Sequence, residues 1–132
     1  MDRLFLDANV LFSAAYRDDA GIARLWGVRT ATLLTSKYAI TEARRNLSEE
    51  AQRERLDRLL ESVQVGAGAS AEVRSRDDID LREKDWPILG GAVAAGATHL
   101  ITGDVRDFGK YFGTRLMGIL ILPPAEYLRS VS

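Results

Sequence analysis

The chain has 132 residues, a formal net charge of −1, 46% hydrophobic and 28% charged residues, and no cysteine. That is the size and composition of one soluble globular domain, expected to span 1–132, and it excludes a disulfide framework and a thiolate metal site. No stretch approaches the roughly 18 apolar residues that cross a bilayer, and Asp2, Arg3 and Asp7 break the N-terminal apolar run too early for a signal peptide, so a cytoplasmic protein with no membrane partner is expected.

In chain order, the first strand is expected at residues 4–6, an apolar run ending at Asp7. The second, 32–34, ends at Thr35 and Ser36, either of which can cap a helix carrying Tyr38, Ala39, Glu42 and Ala43. A further helix is expected in "SEEAQRERLDRLLESV". Ser48 stands at its start, Gln52 lies near the capping-box position, and Leu56, Leu59, Leu60 and Val63 form its apolar stripe. The third strand is expected at 62–65, followed by the flexible-looking "GAGAS" of 66–70. Pro87 opens another helix and Gly96 closes it. The fourth strand, 98–102, runs into Gly103, and the fifth, 118–122, is stopped by Pro123 and Pro124. Short continuous apolar runs suit a parallel sheet covered on both faces. Their alternation with helices predicts an α/β protein, a three-layer α/β/α sandwich.

The topology turns separate acids into one site. Right-handed parallel units bring the carboxyl ends of strands and the amino ends of the following helices to one sheet edge, where ligands bind. Asp7 ends strand one, Asp104 follows strand four by one glycine, Glu42 lies in the first half of the helix after strand two, and Asp85 precedes the Pro87 helix. Asp107 joins them if the segment after Gly103 turns helical. Singly, Asp85 and Asp104 are explained as helix N-terminal acids and Glu42 as a surface partner of Arg45 or Asn46. Four at one edge are harder to explain so. A like-charged pair at about 4 Å costs roughly 4 kcal/mol at an effective dielectric of 20, so the site must protonate an acid or hold a cation. Oxygen-only donors suit a hard ion, Mg²⁺ or Mn²⁺. Such ions serve phosphoryl transfer, singly or as a pair. His99, the one histidine, starts strand four and is expected at the opposite edge.

The stretches "FLDANVLFSA", "SKYAITEARRNL", "KDWPILGGAVAAGATHLITGDVRDFG" and "GILILPPAEYL" resemble, in order and over nearly the whole chain, the PIN-domain family. That family includes the VapC-type ribonuclease toxins of toxin–antitoxin pairs. The resemblance implies a central five-stranded parallel sheet in the order 3-2-1-4-5, Mg²⁺ or Mn²⁺ dependence, and endonucleolytic cleavage of RNA. It places the acidic set on Asp7, Glu42, Asp85 and Asp104, with Asp107 as a fifth, and Asn9 at a polar position suited to orienting Asp7 or a water on the ion. Ala8 stands where many members carry Thr or Ser. A homodimer and a small antitoxin partner are expected on the same ground.

The remaining features bear on RNA and on the rival readings. The net charge carries no nucleic-acid signal, and the predominance of arginine among 18 basic residues is equally what GC-rich coding produces. Phosphate-contact candidates near the acidic edge are Arg17, Lys37, Arg82, Lys84, Arg106 and Lys110. Arg53, Arg55 and Arg58 read instead as a solvated face laced with ion pairs. Gly90, Gly91 and Gly96 in an alanine-rich helix point to close packing against the sheet, and Trp26, Tyr38, Phe108 and Tyr111 to core or interface positions. No GxGxxG follows strand one and no P-loop occurs. A receiver-like phosphoacceptor domain would want a lysine at the end of the last strand, which "GILILPP" lacks. A non-catalytic RNA-binding or interaction module on the same fold is the other alternative.

Overall fold

The computed structural model describes residues 1–66 and 78–132, so most of the "GAGAS" stretch lies outside the described residues. The sheet is built on β1 (Asp2–Leu6), whose Leu4, Phe5 and Leu6 have no exposed surface. Successive residues of a strand point to opposite faces, so both faces of β1 are covered. Parallel neighbours flank it: β2 (Ala31–Ser36) in the register Leu4↔Leu33 and β4 (His99–Ile101) in the register Leu4↔His99. β3 (Val63–Gly66) pairs with β2, and β6 (Ile119–Leu122) with β4, both parallel.

The parallel strands therefore stand in the expected order, but among the described residues the sheet has six strands and not five. β5 (Arg115–Leu116) pairs antiparallel with β6 at the edge, giving β3-β2-β1-β4-β6-β5. The hairpin turns on Met117 and Gly118, with φ of 54° and 81°, the left-handed pair that matches strand twist in a two-residue turn. Having β1 between β2 and β4 also separates this sheet from the flavodoxin-like order 2-1-3-4-5 used by receiver-type domains.

One helix goes beyond the sequence expectation. α1 (Ala8–Tyr16) follows β1 directly and buries Val10, Leu11, Ala14 and Ala15. α2 (Lys37–Asn46) is capped by Ser36, whose Oγ accepts from Ala39 N at 3.2 Å. α3 (Glu50–Leu60) starts from Glu49 and not Ser48, because Glu49 and Gln52 form a reciprocal capping box. α4 (Trp86–Ala94) opens with Pro87 and ends where Gly96 turns to φ 68°. α5 (Val105–Phe108) and α6 (Pro124–Val131) complete the set.

α4 covers the sheet face bearing Phe5. A Cβ on Gly91 would meet Phe5 Cζ at 2.9 Å, so this glycine lets helix and sheet approach. α6 covers the other face, where the Tyr127 ring lies edge-on to His99 and its hydroxyl donates to Asp2 at 2.7 Å. His99 is thus at the opposite edge from Asp7, as expected. Phe108 is fully buried, and Trp26 donates to Leu59 O from its packed position. Among the described residues no helix is long and apolar enough to cross a membrane.

Candidate metal centre

Asp7 is the N-cap of α1 and is 5% exposed. Its Oδ1 accepts from Ala8 N at 2.6 Å, and its Oδ2 from Thr102 Oγ1 at 2.8 Å and Asn9 Nδ2 at 3.1 Å. Burial pushes its pKa up. The bonds from Thr102 and Ala8 oppose that shift, while the Asp104 charge adds to it. Asn9 does more than orient Asp7: its Oδ1 accepts from Gly103 N at 2.8 Å, tying α1 to the turn after β4. Thr102 is a site residue that the sequence motifs do not single out. The signal for it was a hydroxyl residue at the carboxyl end of a buried strand, next to the aspartate turn.

The densest group of acids lies beside Asp7. Asp85, Asp104 and Asp107 each offer a carboxylate oxygen within 4.8 Å of the others. Asp85 is 3% exposed, precedes α4 without capping it, and its Oδ2 is buried with no hydrogen-bond partner among the described residues. Asp104 caps α5 with Oδ1, which accepts from Asp107 N at 3.0 Å, leaving Oδ2 free of backbone. Asp107 is gripped by Arg82, whose Nε and Nη2 both donate to it at 3.0 to 3.2 Å. Burial, then the neighbouring Asp107 carboxylate, raises the pKa of Asp85 to about 6. Asp107 is held well below the ordinary carboxylate range by its contacts with Asp85, Lys84 and Arg82.

A lysine sits in the middle of this group. Lys84 Nζ is 3.0 Å from Asp85, 3.0 Å from Asp107 and 3.6 Å from Asp104. Its partial burial disfavours charge, but the carboxylates outweigh that and hold its pKa above the usual lysine range. Tyr38 donates to the Lys84 carbonyl at 3.0 Å, fastening this segment to α2. The cation that the repulsion argument calls for is, in the protein alone, an ammonium group.

The structure thus brings Asp7, Asp85, Asp104 and Asp107 to one rim, with Asp107 more central than expected. Glu42 lines the same cleft, of about 550 Å³, but its carboxylate pairs with Arg45 at 2.8 Å and stands outside the group of three. Of the phosphate candidates, Arg82 and Lys84 are engaged with the acids, Lys110 pairs with Asp80, and Arg17 with the exposed Asp19. Lys37 and Arg106 are exposed, with no ion-pair partner among the described residues.

These donors fit a hard divalent cation. All are carboxylate oxygens, they lie close enough to share one ion, and a buried Asp85 oxygen lacks, among the described residues, a partner that a cation would supply.

The sequence profile of a family described as PIN domain matches residues 3–106. The chain is also similar in structure to a protein whose description reads "Crystal structure of VapBC2 from Rickettsia felis bound to a DNA fragment from their promoter". The match has a TM-score of 0.64 and 17% identity, and covers 92% of this chain and 98% of that one. At that identity the likeness speaks for the fold. Comparison with curated protein sequences finds no match.

Proposed function

The chain belongs to the PIN-domain family, and from that premise we propose that it is a Mg²⁺- or Mn²⁺-dependent RNA endonuclease, a single domain over residues 1–132. The observation that carries this reading is the group of three carboxylate oxygens within 4.8 Å, one of them on a buried aspartate with an unpartnered atom.

Asp85, Asp104 and Asp107 would hold the ion, through the oxygens not spent on helix capping. Asp7, fixed by Thr102 and Asn9, faces the same cleft and fixes that side of the ion's surroundings. Glu42 would position the attacking water or help hold a second ion. When bound, the divalent ion neutralises charge on the phosphodiester and makes water more acidic. Lys84, released from the carboxylates, would join Lys37, Arg106 and Arg17 in meeting substrate phosphates.

The test is cleavage of RNA in Mg²⁺ or Mn²⁺, repeated with Asp7→Asn and with chelator. Loss in both controls is expected, and activity that survives both overturns the proposal. The placement of Lys84 favours a second reading, a non-catalytic RNA-binding module in which the ammonium neutralises the acids permanently. Calorimetric titration separates the two, because only the nuclease reading requires Mn²⁺ to bind. The structural relative is described as a VapBC complex, and we extend that description to this chain as a toxin reading. In it the protein is a cytoplasmic homodimer restrained by a small antitoxin. Co-purification with the product of an adjacent short reading frame tests this.

A further inference from the structure

A phosphodiester held at the acids must leave the cleft in both directions, and the two exits differ. Toward α2, the arginines are already neutralised: Arg45 pairs with Glu42 at 2.8 Å and Arg44 with Asp57 at 2.6 Å. Toward α1 the surface is continuous; Arg17 beside it pairs with Asp19, but Arg24 and Arg129 beyond have no ion-pair partner among the described residues. Phe12 lines both the acidic cleft and a shallow depression of about 300 Å³ on α1. Gly21 and Ile22 carry that depression into a third groove of about 510 Å³, between the 3-10 turn Gly21–Gly27 and α6.

The chemistry along this path suits a single-stranded nucleic acid. Phe12 and Tyr16 are one helical turn apart with ring centroids 5.4 Å apart, and Tyr16 is 54% exposed. Exposed rings next to a cationic track serve as stacking platforms for bases. The last groove has an apolar floor containing Ile22 and Leu128, flanked by Arg24 and Arg129. Both arginines are exposed and have no ion-pair partner among the described residues. Here phosphates meet two guanidinium groups with no ion-pair partner, whereas the arginines of α2 are paired and only Lys37 is left on that side.

We infer that single-stranded RNA runs from the acidic cleft over Phe12 and Tyr16 into the groove between the Gly21–Gly27 turn and α6, with Arg24 and Arg129 contacting its phosphates. This assignment rests on the nuclease reading for its starting point. A protein helix with an acidic, apolar face is the other chemistry the last groove accepts. The continuity with the cleft and the exposed tyrosine on the way favour RNA.

The probe is a fluorescein-labelled, mixed-sequence RNA decamer, followed by anisotropy on the full chain in chelator, so that binding is read without cleavage. The double variant Arg24→Gln/Arg129→Gln should weaken binding about tenfold and lower the slope of log affinity against log salt by about 1.4, roughly 0.7 per phosphate contact. Tyr16→Ala should weaken it about tenfold and Tyr16→Phe should restore it. Arg58→Gln, on α3 and outside the path, serves as the charge control and should shift affinity less than twofold. Binding by the double variant within twofold of wild type overturns the assignment, as does no binding by wild type. Residue-dependent binding without Mn²⁺-dependent cleavage leaves the path standing and removes the nuclease reading. Cleavage with unaltered binding in the double variant does the reverse.

Discussion

Replacing Lys84 with glutamine tests the electrostatic logic of the site directly. Its ammonium is 3.0, 3.0 and 3.6 Å from three carboxylates. Each contact is worth about 5 kcal/mol at an effective dielectric of 20 before solvent is counted. The side chain is 53% exposed, so its charge is hydrated and screened, and most of that attraction is cancelled. A net cost of about 1 to 3 kcal/mol for moving the ammonium aside is a reasonable remainder. A divalent ion entering the wild-type site must meet that cost, and in Lys84→Gln it does not. Mn²⁺ should therefore bind the variant roughly 5- to 140-fold more tightly, as 1.4 kcal/mol is about a factor of ten.

Titration calorimetry with Mn²⁺ and no RNA reads this effect apart from catalysis. A second consequence has the opposite sign: without metal, the variant should melt below wild type, because Asp85 and Asp104 lose their counter-ion and Asp107 keeps only Arg82. With saturating Mn²⁺ the gap should close, by mass action on the folded state. Equal or weaker Mn²⁺ binding by Lys84→Gln, with its fold intact by circular dichroism, would refute the reasoning and make Lys84 a supporting member of the ion site and not its competitor.

Three further outcomes are expected. Asn9→Ala removes the link between Asp7 and Gly103 and should weaken Mn²⁺ binding about 10-fold or more, the usual effect of losing a group that orients a ligand; unchanged calorimetric affinity would contradict it. Gly91→Ala brings a Cβ to 2.9 Å from Phe5, and overpacking costs about 1 to 3 kcal/mol against about 1 kcal/mol gained in helix propensity. A melting temperature lower by several degrees is expected, and one equal to wild type counts against tight packing. Burial, opposed by Asp2, lowers the His99 pKa, so the unfolded chain, near 6.5, takes up the proton first. Stability present above pH 6.5 is then lost as pH falls, and His99→Gln should melt with a shallower decline between pH 7 and 5. Comparing the two proteins cancels the opposing contribution of Asp85, whose raised pKa favours the folded state as pH falls.

What could be read from the sequence followed from periodicity and from chain direction. Buried parallel strands advertise themselves as short apolar runs, and once their order is set, Asp7 and Asp104 share an edge by geometry alone. α1 is hidden because "ANVLFSAAY" continues the apolar character of β1, and its one marker, Asp7, is equally explained as a site residue. β5 has only two residues, and its turn places Met117, not the customary Asn or Gly, in the left-handed region. The start of α3 moved by one residue because Glu49 reaches the backbone as well as serine does. Lys84 was legible as a nearby cation but not as the centre of the acids. A flexible four-carbon stem has many rotamers, and only the packed positions of Asp85, Asp104 and Asp107 select one of them.

Capping and ligation are alternative explanations for these aspartates, yet a capping bond occupies one oxygen of a carboxylate and leaves the second for another role. Asp7 and Asp104 each give one oxygen to a helix start, Ala8 N in the first case and Asp107 N in the second. That bond fixes the rotamer and so aims the second oxygen, which for Asp7 is further held by Thr102 and Asn9. Asp85 stands at the start of α4 without giving an oxygen to it, although an exposed Asp at that position would ordinarily cap. A buried carboxylate that makes no capping bond, keeps one lysine contact and leaves its other oxygen unpartnered among the described residues costs desolvation that little in the fold offsets, unless something else binds it. The asymmetry among the three aspartates therefore marks Asp85 as the residue whose position folding alone explains least. Asp85→Ala should accordingly leave the metal-free protein at least as stable as wild type.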